Sequence, residues 1–241
     1  MNMCVLIVLL GTALFATIEP AQLPSYIPRC YQNDRNINEC FISAANSLNE
    51  NVRSGIPELG LRPLDPFVAP DLNITLESPI TDLFVATQRF TFHRFYNYRF
   101  TSADIRPKDG AVSGSVTFPD LGASVDYILQ GHLINLPIGG AGVAKFKFAA
   151  INCDFLIDNW LEKATCGEIK LELTCKIEDV EMNFTGLSNE EMMNRLLNLS
   201  SKLVASEVSP AYSNIFKALL GPFLKRLCKK YPLGELFPPS S

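Results

Sequence analysis

The side chains of this chain best equipped for chemistry are its seven cysteines and two histidines, and their spacing favours cross-linking over catalysis. Cys4 sits in an apolar run at the N-terminus, which leaves Cys30, Cys40, Cys153, Cys166, Cys175 and Cys228, an even set. Cys30 and Cys40, ten residues apart at the start of the expected mature chain, are expected to pair, and closing so short a loop removes about 2.7 kcal/mol of unfolded-chain entropy. The other four allow three pairings. Cys153 would face Cys175 if the residues between them form a hairpin centred near Ala164, which favours that pairing. No CxxC spacing occurs, so a zinc site is disfavoured and no metal is expected.

The motifs of catalysis are broken. Gly122-Ala-Ser124-Val-Asp126 lacks the last glycine of a nucleophile elbow and alternates like a strand. Gly140-Ala-Gly142 lacks the third glycine of a dinucleotide loop and stands among strands rather than before a helix. His93, between Phe92 and Phe95, reads as a strand-surface residue, and the only other histidine is His132. The chain is therefore expected not to be an enzyme and to use no cofactor. Three sequons, at Asn73, Asn183 and Asn198, are glycan acceptors wherever they are exposed.

The elements that position these residues follow from periodicity. Residues 3–18 form an apolar run too short for a membrane span, with small residues at Ala13, Ala16 and Ala21. This predicts a secretory signal peptide over residues 1–21, cleaved between Ala16 and Ala21, and a single domain over 22–241. No later segment is apolar enough to span a membrane, so a secreted protein without stable membrane insertion is expected. A net charge of −4 gives no basis for nucleic-acid binding.

A first helix is predicted over 36–52, ending at Gly55, and a stiff proline-rich linker over 60–70. From 72 to 184 the period changes to two, with turns predicted at Lys108-Asp-Gly, Pro119-Asp and Gly139-Gly, which reads as antiparallel sheet with one buried face. Residues 188–231 then return to helical spacing. Ser188 and Glu191 suggest a capping box, Pro210 and Pro222 suggest kinks or breaks, and Lys225, Arg226, Lys229 and Lys230 complement the dipole before Pro232 stops the helix. A one-faced sheet and so apolar a helix satisfy each other only if the sheet curls around the helix. The fold class is thus α+β, a strongly curved antiparallel sheet around a long C-terminal helix, with a hydrophobic tunnel as the space left over.

A resemblance adds to this reading. Ile27-Pro-Arg-Cys30, Asn36-Ile-Asn-Glu-Cys40, Gly55-Ile-Pro-Glu-Leu-Gly60 and Leu64-Asp-Pro66 are followed by Phe118-Pro119, Tyr127, Gly131, Leu136-Pro-Ile-Gly-Gly-Ala-Gly142 and Glu235-Leu-Phe237. Together these resemble the takeout and haemolymph juvenile hormone binding protein family of insects. The resemblance implies a long helix wrapped by a curved sheet, an internal cavity, and secretion as a carrier of juvenile hormone or another terpenoid or fatty-acid-like lipid. The four cysteines beyond the N-terminal pair exceed the single bridge typical of takeout-like members.

The expected function is a monomeric carrier of a small hydrophobic ligand. Competing readings are a membrane-interacting lipid-transfer module, disfavoured by the net acidity, and a protein-binding signalling component with a vestigial cavity. Strand and helix phase select Phe118, Val125, Tyr127, Leu129, Leu133, Phe146, Phe148, Tyr212, Phe216 and Leu220 as cavity lining, with the Tyr127 hydroxyl as the orienting polar group. The aromatic run Phe90, Phe92, Phe95, Tyr96, Tyr98 and Phe100 reads mainly as core or strand face.

Overall fold

The structure is a computed structural model and describes residues 23–239; the predicted leader and Cys4 lie outside the described residues. An extended lead-in carries the Cys30–Cys40 disulfide into two short helices, α1 (Ile37–Ser47) and α2 (Asn49–Ser54). The single helix expected over 36–52 is interrupted because the Leu48 amide turns to the Ala45 carbonyl, a three-residue step that ends α1. Gly55, at φ 88°, closes α2 with a backbone conformation that side chains disfavour.

Ten strands follow: β1 (Phe67–Val68), β2 (Leu72–Ser78), β3 (Thr81–His93), β4 (Arg99–Arg106), β5 (Ala111–Phe118), β6 (Gly122–Leu133), β7 (Leu136–Phe148), β8 (Ile151–Asp158), β9 (Lys170–Ile177) and β10 (Val180–Phe184). They make two antiparallel sheets rather than one. In the larger, β1 and β2 both pair with β3, and β6, β7 and β10 continue from its other edge; the smaller runs β4-β5-β8-β9. The proline-rich linker contributes β1, where regular structure was not expected. Turns fall at residues 107–110 and 119–121 as the sequence indicates.

Gly139 and Gly140 are not a turn. They lie inside β7, and the reversal comes at Ile134 and Asn135, both with positive φ. A Cβ on Gly140 would collide with the Gly186 carbonyl, so glycine there permits close approach of the chain leaving β10.

The C-terminal region forms α3 (Glu190–Leu199), α4 (Ser201–Lys230) and α5 (Leu233–Leu236). The break falls at Ser200, at neither proline, and α4 runs unbroken through Pro210 and Pro222. Each proline removes the partner of a carbonyl four residues earlier, at Ser206 and Ala218. These residues and both prolines are exposed, so water can take the donor's place. The capping box does not form either: the residue preceding α3 is Asn189 in a left-handed conformation, without a side-chain cap. Glu190 instead accepts from the Gly186 amide at 2.8 Å.

Polar side chains of the helices seal three sheet edges. On β4, Phe100 exchanges both backbone bonds with the Asn46 amide, and the Ile105 amide donates to Asn38. On β10, Asn194 does the same for Phe184 and Asn198 for Met182. On β9, the Cys175 and Ile177 amides donate to the hydroxyls of Ser213 and Ser209, at 2.8 and 3.0 Å. Those hydroxyls donate in turn to carbonyls one turn back in α4. Such bonds remove the unsatisfied donors and acceptors that an edge strand leaves, and they fix the rotation of each helix.

Two further disulfides lock the arrangement. Cys153 and Cys175 face each other across the β8–β9 hairpin with Cα atoms 4.0 Å apart. Cys166, beyond the hairpin's short 3-10 turn, is tied to Cys228 near the end of α4. Among the described residues no helix is long and apolar enough to cross a membrane.

Candidate functional site

The apolar space beside α4 falls into two cavities, one toward each end of the molecule. The outer cavity, about 360 Å³, is bounded by the lead-in, the inner faces of α1 and α2, the four-stranded sheet, Trp160, the last turns of α4 and the α5 segment. Its volume falls within the ~300–1,000 Å³ common for small-molecule sites. Phe41, Leu48, Phe100, Phe155, Leu224 and Leu227 are representative of the lining, which contains no charged side chain. Its polar atoms are already engaged: the Tyr98 hydroxyl donates to the Ala45 carbonyl at 3.1 Å, and the Trp160 indole donates to the Tyr231 carbonyl at 3.0 Å. Burial pushes the Tyr98 hydroxyl pKa well above its ordinary value, so it remains a neutral donor.

The inner cavity, about 110 Å³, lies between the larger sheet and the first half of α4. Its lining is aliphatic and aromatic apart from three hydroxyls, those of Thr87, Tyr127 and Tyr212. Thr87 bonds both backbone groups of Leu72. Tyr127 donates to the Thr185 carbonyl at 2.7 Å, and burial, with the charge of Glu190 as a lesser cause, pushes its pKa up to about 12. Its hydroxyl is thus spent on the fold rather than offered to a ligand. Tyr212 makes no side-chain hydrogen bond among the described residues.

A packed layer separates the cavities. Along α4, Tyr212 and Ile215 face the inner one, Leu220 and Phe223 the outer one, and Phe216 neither. Phe216 is 1% exposed. Its ring centre lies 5.4 Å from Phe95, 5.7 Å from Phe118 and 5.9 Å from Phe92, while Phe95 stacks on Phe118 at 5.0 Å. The Cys153–Cys175 disulfide and the fully buried Leu121 and Ile151 belong to the same buried cluster. This layer stands where a continuous tunnel beside α4 would have to pass.

The residues selected by phase therefore divide three ways. Val125, Tyr127, Leu129, Leu133, Phe146, Phe148 and Tyr212 line the inner cavity, and Leu220 lines the outer one. Phe118 and Phe216 belong to the layer between them. The run from Phe90 to Phe100 also spreads over all three: Phe90 faces the inner cavity, Phe92 and Phe95 form the layer, and Tyr98 and Phe100 face the outer cavity. Tyr96 instead lies under the Arg53 guanidinium, 5.0 Å from ring centre to charge.

Most of the outer lining was missed: the inner face of α1, Trp160, Phe223, Leu224, Leu227 and the α5 segment. The helical spacing of Phe41, Ala44, Ala45, Leu48 and Val52 was a usable signal, since an apolar stripe of that width must cover something. A third, open groove of about 430 Å³ runs between β2 and α4, where Ser78 and Thr81 both donate to Glu207.

His93 and His132 are exposed, and no cluster of metal-ligating side chains occurs among the described residues. Asn73 and Asn183 are exposed, whereas Asn198 is half-buried and its side chain is engaged. Its amide donates to the Met182 and Asn194 carbonyls and accepts from the Met182 amide, so a sugar on that nitrogen would break the β10 edge.

The family model described as haemolymph juvenile hormone binding protein matches residues 4–238. Among solved structures, the crystal structure of Takeout 1 from Epiphyas postvittana superposes with a TM-score of 0.72 at 20% sequence identity. That match covers 87% of this chain and 98% of the other. No curated protein matches the chain in sequence.

Proposed function

The chain belongs to the haemolymph juvenile hormone binding protein family, and from that premise we propose that it is a secreted carrier holding one small hydrophobic molecule in the outer cavity, without catalysis. The observation that carries this reading is the cavity itself, a void of about 360 Å³ with an apolar lining and no free polar group. Water gains little from filling such a space, and an apolar molecule gains from leaving water for it.

The ligand class follows from the lining. A terpenoid or fatty-acyl chain fits the shape and chemistry, and the head group is neutral, such as an ester, epoxide or alcohol. A carboxylate would be buried there without a cation to pair with, at a cost of several kcal/mol or more. Burying about twelve apolar carbons yields on the order of 10 kcal/mol gross. Association costs at least ~4 kcal/mol, which leaves a dissociation constant of tens of micromolar at best for twelve carbons. Each further buried methylene tightens binding about four-fold.

Secretion is supported by the apolar leader over residues 3–18 and by six cysteines that are all paired. Glycans are proposed at the exposed Asn73 and Asn183. The protein should be purified natively from secreting cells and extracted with organic solvent. A neutral apolar compound near one equivalent per chain is expected; an extract without any such compound, from protein that also fails to take up added esters, would refute the reading.

A further inference from the structure

The outward face of the larger sheet carries an apolar band that no other described element covers. Strand phase sends Asn73 and Thr75 of β2, Phe84 and Ala86 of β3, Ile128 of β6 and Val143 of β7 away from α4. Phe84 is 41% exposed, Ile128 60% and Val143 39%. Backbone register sets Asn73, Ala86, Ile128 and Ala141 in one row across four strands. Phe84 and Val143 are diagonal neighbours of Ile128, ~7–8 Å away, which makes the band continuous. The strand at the end of that row, β2, is also an unsealed edge. Helix side chains bond the backbones of β4, β9 and β10, whereas among the described residues no hydrogen bond from outside β3 reaches the backbone of β2. An exposed apolar band beside an open edge invites association with another chain.

We propose that the N-glycan of Asn73 is a structural part of this fold: its first sugars lie along the apolar band and its bulk blocks the β2 edge, so that a second copy of the chain can use neither. The inference rests on the glycan proposed above at Asn73. Position supports it. Strands are ~4.8 Å apart, so Ile128, two strands away in the same row, lies about 10 Å from the root of the glycan. Phe84 is nearer, diagonal to Asn73 and directly opposite Thr75, the third residue of the sequon. Chemistry supports it too. The weakly positive C–H face of a pyranose packs on the negative face of an aromatic ring, while its hydroxyls stay in water. The band has a polar rim to receive them, with Gln130 opposite Phe84 at one end and the Asp126–Arg89 ion pair at the other. The second exposed sequon supplies a contrast on the same sheet. Asn183 points outward from β10 opposite Lys145, beside the Lys147–Glu181 ion pair, and of the band only Val143 is its neighbour. Its edge is already sealed by Asn194 and Asn198.

The test uses the full chain secreted from cultured cells. Glycopeptide mass spectrometry reads site occupancy, and analytical ultracentrifugation reads self-association. Asn73→Gln and Thr75→Ala each remove the sequon by a different residue. Both are expected to self-associate at least about ten-fold more tightly than the wild type, equivalent to ~1.4 kcal/mol. Asn183→Gln is expected to stay within about two-fold of the wild type, which is under ~0.5 kcal/mol. Adding Ile128→Lys to Asn73→Gln should return self-association to the wild-type value, because it breaks the band. In the glycosylated wild type, nuclear Overhauser effects should join the first sugar on Asn73 to the Phe84 ring. Enzymatic removal of the glycan from folded wild type gives the same comparison should either variant fail to be secreted. With Asn73 occupied, self-association unchanged in the variants and in the deglycosylated protein would overturn the proposal and leave the glycan itself in place. An equal gain from Asn183→Gln would overturn it as well. A secreted protein with Asn73 unoccupied would overturn both the proposal and the glycan reading on which it rests.

Discussion

The two cavities flank the same helix and are built from the same residue types, yet they are closed by different means. The inner one is walled largely by two elements laid down in register, the larger sheet and α4, so its shape is fixed by strand pairing. The outer one is assembled from pieces distant in sequence: lead-in, α1, the hairpin of β8 and β9, and the chain after α4. Two disulfides, Cys30–Cys40 and Cys166–Cys228, sit at that end. A wall of separate segments can part without breaking a sheet, and local opening draws on such weakly coupled units. The difference is one of construction: strand pairing fixes the sheet wall of the inner cavity, whereas the outer cavity depends on the packing of separate segments held by two disulfides.

The largest effect is expected from removing the layer between them. Phe216→Ala should destabilise the fold by about 3–5 kcal/mol, and in the protein that remains folded it should join the cavities. Esters several carbons longer than the wild type prefers should then bind at least as tightly as methyl laurate. An unaltered chain-length profile, measured by competition against a fluorescent lipid, would mean that the layer does not limit ligand length.

A smaller contrast comes from filling each cavity separately. Leu220→Trp, in the outer lining, should weaken methyl laurate at least about ten-fold, equivalent to ~1.4 kcal/mol. Leu129→Trp, in the inner lining, should leave its affinity within about two-fold, which is under ~0.5 kcal/mol. Native mass spectrometry of the complexes checks both. Equal losses would show one continuous ligand site.

The smallest effect separates the two inner tyrosines. Tyr127→Phe deletes a hydroxyl that donates to the Thr185 carbonyl and should cost about 1 kcal/mol by chemical denaturation. Its pKa is raised to about 12 in the fold from an ordinary 10.0. The stability tied to keeping it neutral is therefore fully present below pH 10 and is lost as pH rises toward 12. Tyr127→Phe should flatten part of that alkaline decline.

Much of the architecture was legible because it rests on periodicity. Alternation between 72 and 184 gave the strands, and the 153–175 spacing placed two cysteines opposite each other before any register was known. What was not legible depends on contacts between elements. Nothing local distinguishes Asn194 and Asn198 as sealants of β10 from ordinary surface residues, and Asn198 also carries a sequon. Pro210 and Pro222 argue for breaks, but an exposed carbonyl tolerates a lost donor, and exposure is set by the sheets on the other face. Gly139 and Gly140 read as a turn because glycine serves turns and close approaches alike. In the candidate site, strand phase identified inward-facing residues correctly, yet phase alone does not say which cavity an inward residue meets. Tyr127 and Tyr212 look equivalent in sequence, and only the carbonyl of Thr185 makes one of them unavailable.

The central claim, that the outer cavity holds a neutral apolar ligand, is tested most directly by titrating the delipidated protein with methyl laurate while recording Trp160 emission. Trp160 is 4% exposed and lines the cavity. A saturable change with one equivalent bound, competed by neutral terpenoid esters and not by laurate at pH 8, is the predicted result. A flat trace across the solubility range, from protein shown to be free of bound lipid, would contradict it.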